Sequence, residues 1–239
     1  MIDEKILSTL IHSDVDLKLV EPHIYSVCAE NGHRNVFDRI TTFYDLIIAN
    51  RYYNRLVWGY STREFANFCH DKLVSSTEGW VLDIGCGSLV FTAGTYANYT
   101  ERPVVFSDES IQMLRAAKSR LLKLNGSIPD NVVFLHADAQ QLPFRKESFQ
   151  TIIAMNLLHV LKDAASAVHE LGTLLTEEGT ISYTTLVLNK RIGDINLKLL
   201  GLFGLVVPRT PDQLLKIFNE QEMPVKHYTI GNIMFISSS

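Results

Sequence analysis

The residues that most constrain this chain are Val81-Leu82-Asp83-Ile84-Gly85-Cys86-Gly87, an apolar run that ends in two glycines one residue apart. The run is too short for a helix and reads as a buried strand. Glycines at its end let the backbone turn tightly and approach a ligand, because no Cβ stands in the way. A helix starting after such a turn aims its free N–H groups at whatever lies there. The pattern demands a strand–loop–helix unit with a ligand crevice at the strand's carboxyl end, as in an open α/β sheet.

The chain beyond residue 80 fits that demand. Short apolar runs at 80–84, 103–106, 132–135, 152–155 and 181–187 are bounded by turn or cap residues and separated by helix-length segments. In one such segment Ile111, Leu114, Leu121 and Leu122 share a face. In another Val168, Leu171, Leu174 and Leu175 do, with Asp163 as the cap. Strands alternating with helices give a parallel sheet covered on both faces. Thr210-Pro211 begins a helix running to about Glu220, and the runs 225–230 and 233–236 flank Gly231-Asn232. That is a hairpin signal, so the last two strands should be antiparallel to each other. Residues 1–75 read as helical, with Ile2, Ile6, Leu7, Leu10 and Ile11 at helical spacing and many aromatics between 37 and 70. The expected division is a helical extension or lid over 1–75 and a ligand-binding domain over 76–239.

Composition narrows the function. With 239 residues, 46% hydrophobic and 20% charged, the chain can bury one large α/β core plus an extension. A net charge of −4 with no long basic run gives nucleic acid no electrostatic foothold. Cys28, Cys69 and Cys86 form no CxxC pair. Neither they nor His12, His23, His33, His70, His136, His169 and His227 show metal-ligand spacing, so no metal is expected. The odd cysteine count, the acidic start and the absence of a transmembrane-length apolar stretch suit a cytoplasmic location.

The acids near the glycine turn specify the ligand's chemistry. A dinucleotide site would carry a third glycine three residues after Gly87, where this chain has Val90. Asp83 instead sets a carboxylate where an ammonium group could be received. Asp108 ends the second strand, where it could accept two ribose hydroxyls or serve as a turn acid; Ser110 is placed to cap the next helix in its stead. Asp138 follows the third strand, facing an adenine amine or lying in a surface loop. Three successive strands put these acids on one rim of the sheet.

On these residues the chain resembles the class I S-adenosylmethionine-dependent methyltransferases. VLDIGCG is similar to that family's first motif, VVFSDESIQML to its second, and FLHADAQQLPFRKESFQTIIAMNLLHVLKD to its third and fourth. The resemblance implies a Rossmann-like, mostly parallel seven-stranded sheet ending in an antiparallel hairpin. It also implies S-adenosylmethionine as cofactor and a small, apolar or aromatic methyl acceptor. By the same resemblance Gly85, Cys86 and Gly87 approach the methionine end and Asp83 anchors its amine. Asp108 holds the ribose, Glu109 lies beside the adenine, Asp138 takes the adenine amine, Ala139 offers a backbone amide, and Asn156 lines the donor pocket. Tyr44-Asp45 resembles the start of a lid in methyltransferases of ubiquinone and menaquinone synthesis, with Tyr44 near the sulfonium. His159 is the candidate base, should the acceptor need one; its alternative is packing against the next element. Two departures stand out: Leu89 replaces a third glycine, and Glu177-Glu178-Gly179 replaces Pro-Gly-Gly. The uncharged run 199–207 could be core, acceptor-pocket lining, a homodimer contact or a membrane contact. The rival functions are a non-catalytic S-adenosylmethionine-binding protein and, further off, an NAD-dependent oxidoreductase.

Overall fold

The computed structural model describes residues 2, 4–28, 50–76, 78–99, 101–189 and 192–238. Strand β3 (Val81–Ile84) is central in the sheet, with β4 (Val104–Asp108) and then β5 (Val132–His136) on one side. On the other side lie β6 (Phe149–Met155) and β7 (Leu175–Leu186), and these five strands are parallel. The order reverses between β3 and β6, the switch point where α/β sheets open their ligand crevice. The C-terminal hairpin follows the sequence reading. Strands β8 (Val225–Ile230) and β9 (Ile233–Ser238) pair antiparallel, and β9 pairs antiparallel with β7.

Those seven strands are extended by two more, giving nine among the described residues. After a single helical turn, α1 (Glu4–Leu7), the chain forms a hairpin of β1 (Lys18–Glu21) and β2 (Ile24–Ser26), and β2 adds to β5 in parallel. The helical reading of 1–75 therefore fails over this stretch. Its apolar spacing came from Leu7, Leu10 and Ile11, which are buried beneath the sheet edge, with Ile11 bridging Phe144. Glu21 ties the hairpin down through Arg115 and Lys118, each at 3.1 Å. Past the undescribed segment, the chain is helical as expected. Helix α2 (Arg51–Tyr53) runs into a π turn, Asn54–Trp58, and α3 (Arg63–Leu73) follows.

Period-two alternation sorts the strand residues onto two cores. Leu82, Val105, Val133 and Ile152 face α6 (Ala164–Thr173) and α8 (Pro211–Glu220). Val81, Val104, Phe106 and Phe134 face α4 (Ala93–Ala97) and α5 (Ile111–Asn125). Asp83 shares the parity of Val81, which turns its carboxylate toward α4. Caps fall where read: Ser110 accepts from Met113 N–H, Asp163 from Ser166 N–H, and Thr210 with Gln213 forms a capping box behind Pro211. The face read on α5 is narrower than expected, since Leu122 is exposed and Met113 and Ala117 take its share of the core. Leu175, read as helical, already begins β7.

A third core joins the aromatic segment to the hairpin, where Trp58, Phe65 and Phe68 pack with Leu197 and Phe235. The hairpin tip is clamped there. Asn232 N–H donates to the Trp58 carbonyl at 2.8 Å, and a Cβ on Gly231 (φ +61°) would collide with that carbonyl. Gly231→Ala should therefore destabilise the fold by more than about 3 kcal/mol, combining left-handed strain with a backbone clash. A urea melt within 1 kcal/mol of wild type, on the same scale, would show that the tip is not clamped.

Candidate active site

A cavity of about 480 Å³ opens at the carboxyl ends of β3, β4 and β6, a size suited to a nucleoside-sized ligand. Asp83, Gly85, Cys86, Gly87, Asp108, Glu109, Ala139 and Asn156 all line it. Two of the named residues are placed elsewhere, each for a physical reason, and a third lies outside the described residues.

Asp138 is absent from the described cavity wall. Its Oδ1 accepts the Gln140 N–H at 2.8 Å, closing an Asx turn, and this turn presents Ala139 to the cavity. His159 is also off the wall. It is buried, and its Nδ1 accepts the Leu186 N–H at 3.3 Å and lies 3.3 Å from the Thr185 hydroxyl. Burial, with Arg209 nearby, pushes its pKa down to about 4. The position expected to supply a base instead closes the junction between β7 and the loop after β6. Tyr44 falls outside the described residues. Of the aromatics near it in sequence that are described, Trp58 is core, Tyr53 is half-buried and Tyr52 is exposed.

The glycine turn has two distinct demands. Gly85 (φ +63°) packs so closely on Leu157 that a Cβ would sit 2.9 Å from its Cδ1, whereas Gly87 (φ +55°) faces open space. The turn is held by Asp108, whose carboxylate accepts the Gly87 N–H at 2.8 Å and the Ser110 N–H at 2.9 Å. Helix α4 begins only at Ala93, so the amides nearest the crevice belong to the loop rather than to a helix end. Leu89, where the family usually has glycine, takes the left-handed conformation itself at φ +56°. That costs about 1–2 kcal/mol and is held by burial of its side chain. Asn156 is likewise left-handed, at φ +57°, with its N–H donated to the Thr184 carbonyl at 2.7 Å.

Asp83 is the most unusual group here. It is 2% exposed; its Oδ2 accepts the Tyr96 hydroxyl at 2.7 Å, and its Oδ1 has no partner. Burial pushes its carboxyl up to about 7, against the Tyr96 hydrogen bond and with help from Asp108. Burial and the same two acids also hold the Cys86 thiol well above its ordinary value. A buried carboxylate oxygen with no donor, on the wall of a cavity, fits a cationic ligand group. It does not fit a diphosphate.

Comparison with known proteins agrees with this geometry. Residues 81–179 match the family model described as a methyltransferase domain. Over that stretch the chain is similar to a methyltransferase domain. It is 31% identical over 149 residues to the ubiquinone/menaquinone biosynthesis C-methyltransferase UbiE of Syntrophotalea carbinolica, covering 62% of this chain and 58% of that one. It is 27% identical over 126 residues to the methyltransferase GfsG of Streptomyces halstedii, covering 53% of this chain and 44% of that one. The chain thus spans about half the length of these curated relatives. Among solved structures, the YcgJ protein from Bacillus subtilis shares the fold, with a TM-score of 0.57, 21% identity and 70% of each chain covered. The matched residues run from β3 into the start of β7; the β1–β2 hairpin lies upstream of them and the β8–β9 hairpin downstream.

Sequence reasoning missed two partners of this site. Tyr96, which holds Asp83, sits a short helix away with no spacing to announce it. His136 bridges Ser26 Oγ at 2.9 Å and the Glu109 carbonyl at 3.1 Å, tying the added hairpin to the cavity wall. Only the pairing of β2 with β5 brings Ser26 and His136 together.

Proposed function

We propose that the chain transfers a methyl group from S-adenosylmethionine to a small, apolar or aromatic acceptor. The observation that carries this reading is the unpartnered, buried Asp83 Oδ1 beside a glycine turn that leaves room at Gly87. When bound, S-adenosylmethionine supplies a methyl group on a sulfonium, already activated for displacement. The chain's own part is alignment and exclusion of water, to which orientation alone can contribute on the order of 7–11 kcal/mol. Asp83 would hold the cationic amine, with Gly85, Cys86 and Gly87 approaching through their backbone. Asp108 and Glu109 would hold the ribose and flank the adenine, and Ala139 would offer its amide. An adenine contact from Asp138 rests on the family resemblance alone.

Toward the acceptor, the wall is apolar: Leu157, Val160, Leu161 and Leu205, with Lys162 at its edge. That lining supports a small apolar acceptor over nucleic acid, as does the chain's net negative charge. The cysteines Cys28, Cys69 and Cys86 are all free, which supports a reducing compartment such as the cytoplasm.

Adenosylhomocysteine should raise the melting temperature and NAD should not. Asp108→Ala should weaken adenosylhomocysteine binding by about 1–3 kcal/mol in calorimetry, since both the ribose contact and the Gly87 tether are lost. Wild-type affinity in a folded variant would refute the placement of Asp108. Transfer of labelled methyl to a panel of apolar and aromatic acceptors tests the reaction, and binding without turnover would favour a non-catalytic role.

A further inference from the structure

Helix α7 (Gly193–Leu202) is apolar on two faces, and among the described residues only one of them is covered. On the inner face Leu197 is buried, and Gly193 lies against the Trp58 ring. On the other, Ile192, Ile195, Leu199, Leu202 and Phe203 are 50–84% exposed. At 3.6 residues per turn these five fall within one stripe roughly 100° wide. A surface helix with such an outward apolar stripe has an outer partner to find, because contiguous exposed apolar area is a cost in water. The neighbouring turn adds exposed Tyr52 and Leu56.

The charges on these elements indicate the partner. Arg51, Arg55 and Lys198 are exposed. The one acid in 50–58 and 192–203 is Asp194, whose Oδ1 accepts the Asn189 N–H at 2.9 Å and the Asn232 side-chain amide at 2.6 Å. These two packed elements thus carry three exposed cations against one acid, on a chain of net charge −4. Apolar residues flanked by arginine and lysine match the interface of an anionic bilayer, where the apolar face enters the acyl boundary and the cations meet headgroups. A two-fold contact with a second copy would instead set the three cations against their own kind. At ten residues α7 is roughly 15 Å long, half of a bilayer's hydrocarbon core. No described helix is long and apolar enough to cross a membrane. Directly after α7, Gly204 and Leu205 line the cavity.

We propose that the outer face of α7 rests on an anionic lipid surface and lays the acceptor side of the cavity against the bilayer. Delivery of an apolar acceptor from the lipid rests on the methyl-transfer reading above; the docking itself does not.

Co-sedimentation of the full chain with vesicles tests it, using phosphatidylcholine alone and an equal mixture with phosphatidylglycerol. The chain should bind the mixed vesicles, more weakly as salt rises. The Ile195→Ser/Leu202→Ser double variant should bind them at least about tenfold more weakly, with unchanged melting temperature and adenosylhomocysteine affinity. Absence of binding to the mixed vesicles overturns the proposal, as does equal binding by the variant. A dimer in light scattering that the variant dissolves also overturns it and assigns the face to a second copy. Vesicle binding without adenosylhomocysteine binding keeps the docking and sinks the reading of the cavity; the reverse sinks the docking alone.

Discussion

At pH 8, Asp83→Asn should melt several degrees above the wild type while binding adenosylhomocysteine about ten- to a hundredfold more weakly. The second figure is the usual worth of a hydrogen bond to a charged group, about 1.5–3 kcal/mol. The first follows from burial, which raises the folded carboxyl from 3.8 to about 7. Between those values the folded protein holds a proton that the unfolded chain has released. Stability therefore falls as pH rises through that window and stays low above it. Asparagine is neutral at every pH and keeps an acceptor for the Tyr96 hydroxyl. It removes a cost on the order of a few kcal/mol, and a chain of this size gains about 2–4 °C per kcal/mol. The advantage should shrink on acidification and vanish near pH 4. Scanning calorimetry between pH 4 and 8 checks this, and a difference that does not vary with pH would refute it. The acid is held at the expense of stability, as expected of a group kept for a cationic ligand.

Arg102→Leu should cost about 3–5 kcal/mol of folding stability and leave cofactor binding untouched in the protein that remains folded. Arg102 is 1% exposed. Its guanidinium donates to the carbonyls of Gly79, Leu73 and Ser76 at 3.1, 3.3 and 3.0 Å and to the Thr151 hydroxyl at 2.9 Å. Leucine fills some of the space but leaves these acceptors without that donor, at about 1–3 kcal/mol for each left fully unsatisfied. Lysine would not rescue the loss, because one ammonium cannot reproduce the planar fork. The residue precedes β4, at the end of the sheet away from the cavity, which separates this effect from the site. A urea midpoint close to the wild type would show that water replaces the guanidinium.

What could be read from the sequence was local. The strand–glycine turn, the acids after successive strands, the capping box and the Gly231-Asn232 hairpin each lie within a few residues of their cause. What escaped it depends on distant pairing. Three residues, Ile24–Ser26, are too few to alternate visibly and become a strand only beside β5. The acids at Asp83 and Asp108 look alike in the sequence. In the fold one is nearly desolvated under Tyr96, while the other tethers Gly87. Leu89 reads as a defect in the glycine pattern until its backbone is seen in the conformation that glycine ordinarily takes.

The hairpin β1–β2 has a consequence for how the chain meets other proteins. Without it, Val132–His136 would be a naked parallel border of the sheet, a template on which any extended peptide could add itself. By supplying that strand from its own N-terminal region, and pinning it through Glu21 to α5, the molecule covers that margin itself and leaves only the four-residue β1 as the outer strand on that side among the described residues.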